Sequence, residues 1–281
     1  LSYDPRTRWC SMFYPVQLDL SDKSQVERAT VVLNPAASKR LIARAVVALP
    51  EVKDAFANAR LAVSTCTSAA FVLEELTGEK VSPHCYCVGM VANGMLTSSV
   101  KEDREAARFF VKGQRVEEEA RTFFEAFEKG DVAIKGANAV DAQGNAGILA
   151  ANPASGTIGA LMSRVAVRGL PIVVPVGLEK LVPSVVAAAA GWGQLTLSRS
   201  MGLPVWLFPF TAGLVVTEIE ALGILAGVGV RHIASGGIAG SEGAVVLLLE
   251  GYADHLAKAW DLVQAVKDEQ PIPVPRHQFS C

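Results

Sequence analysis

Asp131-Val-Ala-Ile-Lys-Gly-Ala-Asn-Ala-Val-Asp141 is the stretch that decides the fold. The run from Val132 to Ile134 reads as a short buried strand. The small-residue turn behind it carries one lysine, one asparagine and one aspartate. In a chain that alternates strands and helices, the step from a strand's carboxyl end into a loop is where an open sheet binds its ligand. Charge around it is sparse: between positions 131 and 215 only Asp131, Lys135, Asp141, Arg164, Arg168, Glu179, Lys180 and Arg199 are acidic or basic. An apolar segment that keeps Lys135, Asn138, Asp141, Glu179 and Lys180 at strand ends keeps them for a ligand.

Working outward toward the N-terminus, residues 107–112 read as a strand and 115–129 as an amphipathic helix whose glutamates form a solvated face. Residues 84–91 read as another strand, with Cys85 and Cys87 on one side of it, and 94–101 as a turn plus a short extended piece. Residues 60–64 form a strand that enters the polar turn Ser64-Thr-Cys-Thr-Ser68, followed by a helix over 69–76 that stops at Gly78. That turn reads equally as an anion loop at a helix N-terminus or as ordinary helix capping. Asn34-Pro35 opens a helix striped by Leu41, Ile42, Ala45, Val46 and Leu49, and 51–59 form a second one. Residues 1–33 form an arm.

Toward the C-terminus, a helix over 158–167, a strand over 171–176, a helix over 184–190 and a strand over 204–208 continue the alternation. The expectation is an α/β fold: a Rossmann-like, mainly parallel sheet with helices on both faces, spanning 34–210. Strand, helix, two strands around Ser235-Gly-Gly-Ile-Ala-Gly240, and a last helix then predict a small ferredoxin-like α/β subdomain over 211–268. The glycine-rich loop reads as a hairpin connection because strands flank it. A Pro-rich tail occupies 269–281.

Composition narrows the function. The chain has 281 residues, half of them hydrophobic, and a formal net charge of −2, with no block of Lys or Arg. Nucleic acid is therefore not an expected partner. The longest apolar runs fall well short of the ~18–20 residues a membrane helix needs. Five cysteines at irregular spacing suggest neither a disulfide framework nor a zinc knuckle. The expectation is a reduced, cytoplasmic homo-oligomer without metal or cofactor. His232 and His255 read as structural.

Three pieces, in this order, resemble one superfamily, that of ribose-5-phosphate isomerase, glucosamine-6-phosphate deaminase and the CoA-transferase-like α/β proteins. Ser64-Thr-Cys-Thr-Ser68 with Phe71-Val-Leu-Glu-Glu-Leu76 resembles the family's phosphate loop and the helix after it. Lys135-Gly-Ala-Asn-Ala-Val-Asp141 resembles the isomerase run Asp-Gly-Ala-Asp-Glu-Val-Asp. Val176-Gly-Leu-Glu-Lys-Leu-Val-Pro183, with Ser155-Gly-Thr157, is similar to the lactate-utilisation (LUD) branch. The chain departs from the isomerase pattern where Lys135 replaces its first acid and Asn138-Ala139 its Asp-Glu pair.

The resemblance implies a small anionic metabolite, a phosphorylated sugar or a related acid. Ser64, Thr65, Cys66, Thr67, Ser68, Gly136, Ala137, Asn138, Ser155, Gly156, Thr157 and Lys180 would bind it. If the protein is an enzyme, Glu179 or Asp141 would move the proton of an isomerisation. Lys135 or Lys180 would neutralise developing charge. A non-catalytic sensor of the same fold and acyl-CoA chemistry at a Glu nucleophile are the alternatives.

Overall fold

The computed structural model describes residues 12–274. Strand β1 (Glu27–Leu33) leads to helices α1 (Pro35–Ala48) and α2 (Pro50–Asn58), each started by proline. The Asn34 side chain caps α1 by accepting from the Ala37 N–H. Strand β2 (Arg60–Val63) and helix α3 (Thr67–Thr77) follow, and Gly78 ends α3 in the left-handed conformation, φ 74°. Two hairpins come next, β3 (Gly89–Ala92) with β4 (Met95–Ser98) and β5 (Arg108–Val111) with β6 (Gln114–Val116). The chain continues through α4 (Ala120–Glu125), β7 (Val132–Ile134), β8 (Ala139–Val140), β9 (Ala146–Ala150) and α5 (Gly156–Arg164). It then forms β10 (Ile172–Pro175), α6 (Val185–Ala189), β11 (Trp206–Phe210), β12 (Leu214–Val216) and α7 (Glu218–Ala226). Strands β13 (Gly229–Ser235) and β14 (Val245–Gly251) and helix α8 (Ala253–Val266) complete it.

The principal sheet runs β12-β10-β7-β2-β5-β6. Its first four strands are parallel, while β5 runs antiparallel to β2, and β6 to β5. The pleat divides the core cleanly, because successive side chains point to opposite faces. Leu61, Val63, Val132, Ile134 and Val173 meet Leu41 and Val46 of α1, Phe71 of α3 and Leu222 of α7. Ala62, Ala133, Ile172 and Val174 meet Phe123, Phe124 and Phe127 at α4 and Ile158 and Leu161 of α5. Helices therefore cover both faces, as expected of a mixed α/β protein. The parallel strands end side by side, so the loops after β2, β7 and β10 open at one edge of the sheet.

Several local expectations are corrected. Residues 114–116 are a strand, and the helix behind them is confined to Ala120–Glu125. Lys112 (φ 48°) and Gly113 (φ 76°) form a two-residue hairpin turn that folds the chain back before the amphipathic stretch can begin its helix. Asn93 (φ 50°) and Gly94 (φ 76°) do the same between β3 and β4, so the strand expected over 84–91 shrinks to β3, with Cys85 left in the turn before it.

The C-terminal region differs more. The expected first strand of the 211–268 unit, β12, lies in the principal sheet beside β10. The N-terminal strand β1 takes a place beside β14 instead, giving an antiparallel sheet β1-β14-β13. Its inward residues Val31, Leu33, Val245, Leu247 and Leu249 share one hydrophobic core with α1, α3, α7 and α8. The arm also reaches the principal sheet: Tyr14 donates its N–H to Val215 O, and Val215 donates to Met12 O. Residues 1–11 and the tail from 275 onward lie outside the described residues. Among those described, no helix is long and apolar enough to cross a membrane.

Candidate functional site

The loops after β2, β7 and β10 meet at a cleft of about 560 Å³. It is closed on the far side by the β3–β4 hairpin, by residues 148–158 and by Leu203 and Val205. Four sequence motifs that lie far apart along the chain each reach it: Thr65, Cys66, Thr67 and Ser68; Lys135, Gly136, Ala137 and Asn138; Ser155, Gly156 and Thr157; and Lys180.

The first two loops interlock. Cys66 is the N-cap of α3, its sulfur accepting from the Ala69 N–H at 3.2 Å, so the cap is the thiol rather than a neighbouring hydroxyl. A Cβ on residue 136 would collide with that sulfur, which is why the turn after β7 needs glycine there. Asn138 braces the loop from the other side, its Oδ1 accepting from Leu149 N at 3.0 Å. The third segment begins α5, where Ser155 adopts φ 59° and gives no side-chain cap. The first N–H groups of α5 therefore lack the acceptor that usually satisfies them.

Three expected residues do not line the cleft. Ser64 is fully buried at the end of β2. Asp141 is fully buried too, and its carboxylate accepts from the N–H groups of Gln143, Asn145 and Val185 and from the Asn145 side chain, at 2.9 to 3.1 Å. Those donors outweigh the opposing effect of burial and hold Asp141 below the usual carboxylate range. It fastens two loops and lies outside the lining where its expected proton transfer would take place.

Glu179 stands one layer behind the cleft. Its Oε1 accepts from the Lys39 Nζ at 2.9 Å in a nearly buried ion pair. Burial pushes this carboxyl up, but Lys39 and then Lys180 outweigh it and keep it ionised below its ordinary value. Glu218, the first residue of α7, crowds the same point: a Cβ on Gly177 would meet both carboxylates. Glu218 accepts from Leu178 N at 2.9 Å and is pushed up to about 7, by burial first and by the charge of Glu179 second. Glu179 Oε2 and Glu218 Oε1 have no hydrogen-bond partner among the described residues.

Sequence reasoning missed Lys39, Thr97 and Glu218. Lys39 also lines the cleft, although its helix lies about a hundred residues before Lys135. The available signal was three consecutive polar side chains, Ser38, Lys39 and Arg40, on a helix that turns out buried all round at that turn. Thr97 is buried, lines the cleft, and its hydroxyl has no hydrogen-bond partner among the described residues.

The lining thus holds three lysines, 39, 135 and 180, and no Asp or Glu among the described residues. Lys135 is half-buried and has neither a hydrogen bond from its ammonium nor an ion pair among those residues. With two helix N-termini at the same cleft, the local field favours negative charge. Comparison with family models, with curated proteins and with solved structures gave no match.

Proposed function

We propose that the cleft binds a small anionic metabolite, a phosphorylated sugar or a related acid, on a Rossmann-like sheet of the isomerase and CoA-transferase-like superfamily. The observation that carries this reading is the charge of the lining: three lysines and two helix N-termini face a space that no described carboxylate enters. An anion there gains charge-assisted hydrogen bonds and the favourable ends of both helix dipoles. The three pieces that carry the resemblance each contribute to that lining, which supports the family reading as well. A carboxylate-driven isomerisation is the weaker form of the proposal, because neither Glu179 nor Asp141 lines the cleft. A ligand-binding protein without that reaction is the form this geometry favours. Cytoplasmic self-association belongs to the same reading, supported by the apolar side chains of Val186 and Met201, more than half exposed.

The test is a thermal-shift series with inorganic phosphate, sugar phosphates, small hydroxy acids and acyl-CoAs. A ligand bound only by the folded state at a hundred times its Kd adds about 2.7 kcal/mol of stability. Anions raise Tm in the wild type and not in Lys135→Ala. A flat response to every anion would sink the proposal.

A further inference from the structure

Among the three lysines of the cleft, the partners differ. Lys39 is committed to Glu179 at 2.9 Å and to Pro35 O at 3.1 Å, with its side chain 9% exposed. The Lys135 ammonium has no hydrogen bond or ion pair among the described residues and can act as a counter-charge. Lys180 is different again. Among the described residues its ammonium makes one hydrogen bond, to a neutral acceptor, Ala137 O, at 2.9 Å, and it remains partly exposed on the cleft side. Glu179, next to it in sequence, makes its ion pair with Lys39 instead.

From this arrangement we infer that Lys180 is an amine nucleophile, and that the anion held in the cleft carries an aldehyde or ketone which Lys180 captures as an imine. The inference rests on the anion-binding reading and narrows it to oxo-anions: 2-oxo acids, or phosphorylated aldehydes and ketones. Burial, reinforced by the positive charge of Lys39 and only partly offset by Glu179, holds the Lys180 ammonium below its ordinary pKa. Desolvation beside other cations is what turns a lysine into a nucleophile near neutral pH. Lys135 then holds the carboxylate or phosphate, and the N-termini of α3 and α5 add N–H groups to it.

The step balances without a further reactant. The Lys180 nitrogen attacks the carbonyl carbon, and the π pair of the C=O bond moves to oxygen. The resulting carbinolamine expels that oxygen as water with both hydrogens of the neutral amine, and the C=N bond forms. In the absence of a partner reaction, water reverses the step and returns the carbonyl compound.

The test uses the full chain with pyridoxal 5′-phosphate, glyoxylate and pyruvate as separate probes. Each is incubated with the protein at neutral pH, reduced with borohydride, and mapped by peptide mass spectrometry. Most of the label is expected on Lys180, with inorganic phosphate slowing its incorporation. Lys180→Arg keeps the positive charge but cannot form the adduct, and circular dichroism shows whether it folds. Label on Lys135 or Lys39 with Lys180 untouched overturns the assignment. So does an absence of adduct from all three probes while phosphate still raises Tm, and that outcome leaves anion binding standing. Label on Lys180 that phosphate does not slow, in a protein whose Tm phosphate does not move, overturns the anion site on which the inference rests.

Discussion

Two neighbours on one helix, Lys39 and Arg40, each hold a cluster of buried charge, and the clusters are built on opposite plans. Arg40 spends its whole guanidinium on structure. Its Nε and Nη2 bond Glu269, Nη2 also bonds Glu74, Nη1 bonds Glu75, and the group stacks 4.5 Å from the Phe71 ring centre. Arg44 pairs with Glu75 at 3.5 Å and Lys80 with Glu74 at 3.8 Å, so three cations meet three carboxylates and nothing of Arg40 is left over for a ligand. The Lys39 cluster is not balanced in this way. Three lysines line the cleft, two of which, Lys39 and Lys180, act on one ionised glutamate, a second glutamate stays largely protonated up to about pH 7, and two carboxyl oxygens have no hydrogen-bond partner among the described residues. A satisfied network holds elements together, whereas a surplus of one sign beside a cavity leaves a debt that a ligand can settle.

The strongest way to break this comparison is Arg40→Ala. It removes the ion-pair partner of Glu269 and leaves Glu75 to Arg44 and Glu74 to Lys80, and the expected loss is about 3 kcal/mol in denaturant unfolding, with the Tm increment from phosphate retained in whatever fraction folds. A loss under about 1 kcal/mol would mean that the two clusters are not different in kind. Next in size is the pH dependence of Glu218. Its folded pKa of about 7 lies above the ordinary 4.5, so the native state holds the proton more tightly than the unfolded chain. The stability this contributes is complete below pH 4.5 and is lost as pH rises toward 7. Wild type should therefore fall relative to Glu218→Gln over that interval, by roughly 3 kcal/mol across the window. Parallel curves would show that the carboxyl ionises normally.

Gly136→Ala comes third. The added methyl must displace the Cys66 sulfur or the turn itself, at an expected ~1–3 kcal/mol, and the phosphate response should weaken because both anion loops shift. Lys135→Ala is the smallest in stability, within about 0.5 kcal/mol of wild type, yet it removes the phosphate response. A large destabilisation there would move Lys135 into the Arg40 class.

The cleft was legible in the sequence because its pieces are local. A strand announces the loop at its end, and three such loops, after residues 60–64, 132–134 and 171–176, were recognised separately, while Ser155-Gly-Thr157 was singled out by the resemblance, because the strand Ala146–Ala150 before it was not read. What a loop does with its charge was not legible. Asp141 looked available because spacing shows an acid in a turn but not the N–H groups of Gln143, Asn145 and Val185 that consume it. Lys39 was lost for a related reason: its meaning depends on Glu179, 140 residues away, through a contact that helical periodicity cannot see. The exchange between β1 and β12 belongs here too. Both are apolar runs of ordinary strand composition, and the choice of sheet follows from the shared core rather than from either run.

The short bridge between residues 12–14 and β12 bears on how the molecule meets others of its kind. The principal sheet has two borders. One ends in β6, three residues long and carrying the exposed Gln114 and Arg115. The other would be β12, but the N-terminal arm already holds the Val215 N–H and C=O. Neither border offers a long row of vacant amides, so growth of the sheet from molecule to molecule is blocked at both ends. Trimming the chain past Tyr14 would remove the blocker from one of them, and β12 would become a template for strand addition.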